Sequence, residues 1–146
     1  MSNQEHYSKL QNMYLSGLIN QELYDNVQIE ITSEKATITM PIKPKYFHAG
    51  NSLHGSVYFK MLDDAAYFAV NSIVLDSFVY TTSFHIQILR PAKTGKIKAV
   101  GELKFKSKNL FIADAVLYDE KNREIARGTG NFMKSQIALN EEIGYK

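Results

Sequence analysis

Two adjacent carboxylates interrupt the most apolar segment of the chain, residues 48–70. Asp63 and Asp64 lie within a predicted helix over residues 54–73, whose other positions are almost all apolar. A helix that is apolar on nearly every face is buried, and carboxylates are rarely buried without a partner or a chemical task. We therefore predict Asp63 as a general base or nucleophile, and we expect its apolar surroundings to raise its pKa.

The same helix opens at His54-Gly55, a pair that could bind a developing negative charge. The N–H of Gly55 lies at the helix N-terminus, where it has no intrahelical partner and the helix dipole is positive. Glycine also lets a carbonyl oxygen approach the backbone closely. We predict Gly55 as the oxyanion donor, and His54 as a group that orients the loop or polarises the carbonyl.

A purely structural interpretation of these residues is also open. Asp63 could face solvent or pair with Lys60 three residues earlier, while Asp64 faces elsewhere and caps or pairs. Gly55 could be an ordinary turn from loop to helix, and His54 could make a structural hydrogen bond. The spacing nevertheless favours a catalytic site, because the helix around Asp63 carries so few other charges.

Distance along the helix limits how such a site can be built. Nine residues of helix place His54 and Asp63 about 13 Å apart, too far to act on the same carbonyl. Each site must therefore combine the His-Gly pair of one subunit with Asp63 of another. Two antiparallel copies of the helix about a two-fold axis would create two equivalent sites.

The rest of the sequence predicts the elements that position this helix. Apolar residues in 5–23 have helical spacing that Gly17 interrupts only mildly, and period-two alternation over 27–31 and 36–42 predicts a hairpin. Four strands, joined by short hairpin connections, are expected over 78–90, 95–106, 110–118 and 124–135. In the second of these, the expected inward residues are Ile97, Ala99, Gly101, Leu103 and Phe105. One long helix amid six antiparallel strands is an α+β pattern.

Composition excludes several classes of function. The 146 residues suit one domain, 1–146, with a helical extension over 1–24, and the net charge of +2 does not indicate a nucleic-acid partner. The chain has no cysteine, no metal-ligand spacing among its four histidines and no nucleotide-binding loop. No apolar run is long enough for a membrane span, so we expect a cytoplasmic protein without a membrane or metal partner.

Two segments resemble a known family. HGSVYFKMLDDAA (54–66) and TTSFHIQILRPA (81–92) are similar to hotdog-fold acyl-CoA thioesterases, most of all to the phenylacetic-acid-pathway branch. That branch shows His-Gly-Gly, an Asp nine positions after the His, and a strand that ends in Arg-Pro, here Arg90-Pro91. The resemblance implies a long central helix wrapped by a six-stranded antiparallel sheet. It also implies a homodimer or dimer of dimers that hydrolyses a small or medium acyl-CoA thioester at its interface.

The resemblance further implies substrate contacts beyond the acid and the oxyanion donor. In the family a Ser or Thr on the strand after the helix faces the acid; Thr81 matches it, and Ser83 is its neighbour on the same face. The other predicted substrate-binding residues are His48, Asn51, Ser56 and Arg90. Arg90 could meet phosphates of coenzyme A, which enters only as part of the substrate, and no other cofactor is implied.

The sequence departs from the family pattern at two positions close to the thioester. Ser56 replaces the second glycine, and His48 replaces an Asn often found six positions before the motif His. A non-catalytic module that binds acyl-CoA or an acyl group is therefore the alternative. A third candidate is a dehydratase of hydroxyacyl thioesters, with His54 as its base.

Overall fold

The computed structural model describes all residues, 1–146. Helix α1 (Asn3–Ser16) and a π-helical turn (Ile19–Leu23) come first, and the central helix α2 (Gly55–Asn71) separates the second strand from the third. Six antiparallel strands form one sheet: β1 (Gln28–Thr32), β2 (Lys35–Pro41), β3 (Ser77–Ile88), β4 (Lys96–Lys106), β5 (Leu110–Tyr118) and β6 (Glu124–Ala138). The predicted α+β arrangement of one long helix and six antiparallel strands is confirmed.

The strand order corrects one predicted connection. The order in the sheet is β1-β2-β4-β5-β6-β3, so β3 pairs with β6 and β4 pairs with β2. The segment around Pro91–Gly95 is therefore a crossover from one edge of the sheet towards the other, rather than the predicted hairpin. Period-two patterning identifies strands but does not reveal which strands are neighbours. The other predicted hairpins, β1–β2, β4–β5 and β5–β6, are present.

Helix α2 packs against every strand of the sheet. Its closest approach is at Gly101 of β4, where a Cβ atom would collide with the backbone of Ala65 and Ala66. Glycine and alanine at this crossing let the helix lie directly on the strands. Most of α2 is consequently buried, and this burial gives the two carboxylates their apolar surroundings.

Helix α1 begins at a capping box and ends earlier than predicted. The side chain of Ser2 accepts the Glu5 N–H while the Glu5 carboxylate accepts the Ser2 N–H. The predicted continuous helix over 5–23 is wrong, because Gly17 adopts extended backbone (φ −60°, ψ 138°) and ends α1. The chain then forms the π-helical turn Ile19–Leu23, a geometry that often accompanies functional sites.

A buried histidine joins α1 to the end of α2. The Nε2 atom of His6 lies 2.8 Å from the Asn71 carbonyl oxygen, and its Nδ1 lies 2.7 Å from the Tyr145 hydroxyl. Since a carbonyl only accepts, Nε2 carries the proton and Nδ1 accepts from Tyr145. Burial lowers the pKa of His6, which keeps the ring neutral at this junction.

Two bulges change which residues face inward. A register shift between Leu103 and Phe105 leaves Phe105 49% exposed, so the prediction that it points into the core is wrong. A second shift lies between Thr81 and Ser83 on β3. Thr81 faces inward, whereas Ser83 is exposed, so the two do not share a face as predicted. No helix is long and apolar enough to cross a membrane.

Candidate active site

The first turn of α2 is built around His54. The Nδ1 atom of His54 caps the helix by accepting the Ser56 N–H at 3.0 Å, and the Ser56 hydroxyl lies 2.8 Å from the same nitrogen. Because Nδ1 is an acceptor, the neutral ring carries its proton on Nε2. The His54 side chain therefore caps the start of the helix, as in the structural interpretation, and its predicted role at the carbonyl stays a prediction.

Capping leaves one backbone donor free at the helix start. The N–H of Val57 bonds to the His54 carbonyl and that of Ser56 to the His54 ring, but the N–H of Gly55 makes no hydrogen bond within the chain. The space above Gly55 is open, since a Cβ there would touch only Ile88, at 3.5 Å. An unpaired N–H at the positive end of a helix is suited to bind a developing oxyanion.

Asp63 lies two turns further along α2 and is held by β3. The Thr81 hydroxyl donates a hydrogen bond of 2.8 Å to Asp63 Oδ1, and no cation lies within ion-pair distance of this carboxylate. Burial raises the pKa of Asp63 from 3.8 to about 6; the Asp64 charge also raises it, while the Thr81 hydrogen bond and Lys60 lower it. A half-buried carboxylate with such a pKa is a competent base near neutral pH.

Asp64 has structural partners of its own. Lys60 Nζ lies 2.6 Å from Asp64 Oδ2, and the Tyr14 hydroxyl donates to the same oxygen at 2.7 Å. Lys60 pairs with Asp64 rather than with Asp63, the partner in the structural interpretation. The two carboxylates are therefore distinct, because one is neutralised by a cation and the other is not.

A cavity of about 560 Å³ surrounds Asp63. Its walls come from α2, from β3 and from the N-terminal segment (residues 3–24), and most of its lining is apolar or aromatic. The main aromatic lining residues are Tyr14, Tyr24, Phe59, Tyr67, Phe68, Phe78 and Tyr80. A volume of this size suits a small-molecule group, and an apolar lining suits an acyl chain.

A second cavity, of about 310 Å³, opens beside the unpaired N–H of Gly55. His48 and Arg90 line it, and the Tyr58 hydroxyl at its edge donates to the Arg90 carbonyl at 2.7 Å. His48 organises the preceding turn, where its Nδ1 accepts the Gly50 N–H and its Nε2 lies 3.2 Å from the Ser52 hydroxyl. The exposed Arg90 side chain makes no ion pair within the chain.

The predicted site residues thus fall into two separate groups. Asp63 and Thr81 share the first cavity; Gly55, His48 and Arg90 share the second. Ser56 lies on the first cavity as well as in the helix cap. The remaining three predicted residues, His54, Asn51 and Ser83, line neither cavity: His54 caps the helix, and Asn51 is an exposed turn residue with φ 68°.

Sequence reasoning missed the contribution of the N-terminal segment to the site. Tyr14, Tyr24 and Asn20 line the Asp63 cavity, although the pattern of residues 5–23 suggested only an amphipathic helix. The Oδ1 atom of Asn20 is buried without a partner in the chain. The one available signal was Gly17, whose position marks the end of α1 and the turn that brings Asn20 to the cavity. No group of three acidic, histidine or cysteine side chains is arranged to hold a metal ion.

Comparison with protein families gives one match, to the thioesterase superfamily, over residues 50–126. That range includes the start of α2, both carboxylates and all of β3, β4 and β5. It covers more than half of the chain. A search of curated protein sequences gave no significant match.

Solved structures with the same fold cover most of the chain. The PaaI protein of the Escherichia coli phenylacetic acid degradation operon is 18% identical, with a TM-score of 0.84, over 94% of this chain and 99% of its own. A putative esterase of Mycobacterium tuberculosis is 18% identical, with a TM-score of 0.75, over 82% and 97%. A Streptococcus mutans protein solved with acetyl-CoA is 16% identical, with a TM-score of 0.69, over 76% and 90%. These similarities confirm the predicted hotdog fold.

Proposed function

The chain belongs to the thioesterase superfamily, and we propose that it is an acyl-CoA thioesterase that releases a free acid and coenzyme A. The observation that carries this proposal is Asp63, a half-buried carboxylate without a cation partner at the wall of an apolar cavity. We propose a small or medium acyl group as substrate, because an apolar cavity of about 560 Å³ suits one. The acetyl-CoA bound to the Streptococcus mutans protein supports coenzyme A as the carrier.

The proposed chemistry needs an activated water and a stabilised oxyanion. Asp63 takes a proton from water that attacks the thioester carbonyl, or attacks the carbonyl itself. The N–H of Gly55 binds the oxyanion that forms. When the intermediate collapses, the carbon–sulfur bond breaks, the oxygen from water stays in the acid, and the proton held by Asp63 passes to the sulfur, so coenzyme A leaves as the thiol. If Asp63 attacks directly, coenzyme A leaves first and takes its proton from solvent, and water then hydrolyses the acyl–Asp63 anhydride to release the acid. Thr81 keeps the carboxylate ionised and oriented through its hydrogen bond.

We propose that each site combines Asp63 of one subunit with Gly55 of another. The two residues lie on different cavities, and eight residues of α2 separate them by about 12 Å. The outer edge of β3 pairs with no strand and carries exposed apolar side chains, including Tyr80 and Ile88. An exposed apolar edge strand is a surface for pairing with another chain. We therefore propose that the dimer, or each dimer in a dimer of dimers, forms through a two-fold contact along β3.

Substitution of Asp63 tests the proposed function directly. Asp63→Asn keeps the size and can still accept from Thr81, but removes the base, so we expect hydrolysis of acyl-CoA esters to fall at least about 100-fold. The matched control is Asp76→Asn, because Asp76 is 78% exposed and lines neither cavity. A screen over aryl, short, medium and long acyl-CoA esters identifies the acyl group. Unchanged hydrolysis by Asp63→Asn would overturn the proposal.

One observation favours a non-catalytic acyl-CoA binding module as the second candidate. The His54 ring occupies the N–H of Ser56, so the helix start offers a single free donor at Gly55. A thermal shift on addition of acyl-CoA, with no free acid detected by mass spectrometry, would support this candidate over the enzyme.

A further inference from the structure

The N-terminal segment forms a wall of the Asp63 cavity, and this inference rests on the proposed thioesterase function. Six of its residues line the cavity opposite α2 and β3: Met13, Tyr14, Gly17, Ile19, Asn20 and Tyr24. The end of α1 and the π-helical turn supply them, so the break at Gly17 creates the wall.

A buried ion pair ties this wall to α2. The Tyr14 hydroxyl donates to Asp64, and Lys60 donates both to Asp64 and, at 3.3 Å, to the Tyr14 hydroxyl. Lys60 is only 8% exposed, and its ammonium also lies 5.1 Å and 4.9 Å from the ring centres of Tyr14 and Tyr24. The rings of Tyr14 and Tyr24 therefore both make cation–π contacts with the ammonium of Lys60 on α2.

The ion pair is better suited to positioning than to stability. A buried salt bridge rarely adds stability over an apolar alternative, whereas its hydrogen bonds fix the geometry of its partners. Here the geometry that is fixed is that of Tyr14, which lines the same cavity as Asp63. The pair is also neutral overall, so Asp63 keeps the only uncompensated charge in the cavity.

We infer that Tyr14 is a specificity-determining residue, whose hydrogen bond to Asp64 locks the N-terminal segment in place as a wall of the acyl-binding cavity. A longer acyl group places more methylenes against this wall, and each buried methylene strengthens binding about fourfold. A loosened wall loses this contribution in proportion to the length of the acyl group. Preference between acyl lengths therefore depends on Tyr14.

The first test compares two tyrosines of α1. Tyr14→Phe removes the hydroxyl bonded to Asp64, whereas Tyr7→Phe removes a hydroxyl with no side-chain partner from an equally buried ring on the same helix. We expect Tyr14→Phe to lower the ratio of kcat/KM for octanoyl-CoA to that for acetyl-CoA about fivefold, mainly through a higher KM for octanoyl-CoA. Tyr7→Phe should leave the ratio unchanged. An unchanged ratio for Tyr14→Phe would overturn the inference, whether kcat/KM stays constant for both esters or falls equally for both.

The second test does not depend on hydrolysis. Hydrogen exchange of residues 3–16 is measured with S-octyl-coenzyme A, a thioether that cannot be hydrolysed, and with coenzyme A alone. We expect the octyl compound to slow exchange in α1 more than coenzyme A does, and to do so less in Tyr14→Phe. Equal protection by the two compounds would overturn the inference. If the wild-type protein hydrolyses no ester, the proposed function fails, while this measurement still decides the role of the wall.

Discussion

Two opposing influences set the pKa of the Asp63 carboxylate. Its apolar surroundings favour the protonated acid, while the Thr81 hydroxyl and the nearby Lys60 favour the charged form. The outcome is a pKa of about 6, so hydrolysis should rise as the pH rises through this value and level off above it. Thr81 is the partner that can be removed without adding or removing a charge.

Replacing Thr81 with Val should move the acid limb of the pH profile. Val has the shape of Thr but cannot donate to the carboxylate, so the charged form of Asp63 loses a hydrogen bond and its pKa rises. We expect the acid limb of kcat/KM to move up by about one pH unit. Thr82→Val is the control, because the Thr82 hydroxyl bonds to the Asn131 carbonyl at the exposed surface. A limb that stays in place would show that Thr81 does not act on the base.

The same carboxylate should cost the protein stability at neutral pH. The folded pKa of about 6 lies above the unfolded value near 3.8, so as the pH rises between them the unfolded chain loses its proton first and stability falls. Above pH 6 the cost is complete, at about 3 kcal/mol. Asp63→Asn has no charge to bury, and should therefore raise the free energy of unfolding by up to about 3 kcal/mol at pH 8.

Urea denaturation at two pH values measures this effect. The gain of Asp63→Asn should be present at pH 8 and nearly absent at pH 3, below both pKa values, where the wild-type carboxyl is mostly protonated in the folded and the unfolded state. Asp76→Asn, at an exposed position, should show no such gain. An Asp63→Asn variant less stable than wild type at pH 8 would contradict the cause assigned to the raised pKa.

At the scale of elements, the start of α2 separates a structural role from a chemical one. His54 supplies the cap, whereas Gly55 supplies the free N–H. Proline is well tolerated at the first position of a helix, and His54 already has the extended backbone (ψ 143°) that a residue before proline requires. Gly55→Pro therefore removes the donor while leaving the helix start intact.

This substitution tests the oxyanion donor directly. We expect Gly55→Pro to fold with near wild-type thermal stability and to lose hydrolysis about 100-fold or more, as for other lost oxyanion donors. Gly55→Ala is the matched control: it keeps the N–H, its Cβ has room beside Ile88, and it should retain most of the activity. Full activity in Gly55→Pro would assign the oxyanion to another group.

How far the sequence predicts these elements depends on whether the signal is local. The strands were predictable because burial of one face sets their apolar period, and α2 was predictable because it is a long segment that is apolar on nearly every face. The spacing from Gly55 to Asp63 follows from helix geometry. The strand order and the bulge after Thr81 were not predictable, since both depend on partners distant in sequence. The bond between Tyr14 and Asp64 joins residues 50 positions apart and has no local signature.

At the scale of the whole molecule, each subunit of the proposed dimer holds one half of each of two sites. Its Asp63 cavity includes no Gly55, and its Gly55 cavity includes no Asp63. A two-fold contact that brings α2 of one subunit antiparallel to α2 of the other would complete both sites together. A site shared between two subunits predicts that two inactive variants can complement each other, whereas a site built from one chain does not.

Two inactive variants should restore each other when they form one dimer. In a dimer of an Asp63→Asn chain with a Gly55→Pro chain, the Asp63 of the second chain meets the Gly55 of the first, so one of the two sites is intact. Random association at equal amounts makes half of the dimers mixed, and we expect about a quarter of the wild-type activity. The measurement is the hydrolysis rate of the two chains after joint expression, or after unfolding and refolding together. The matched control pairs the Asp63→Asn chain with a chain carrying both substitutions, in which no site is complete. Activity no higher than in this control would place the oxyanion donor and the base in the same subunit.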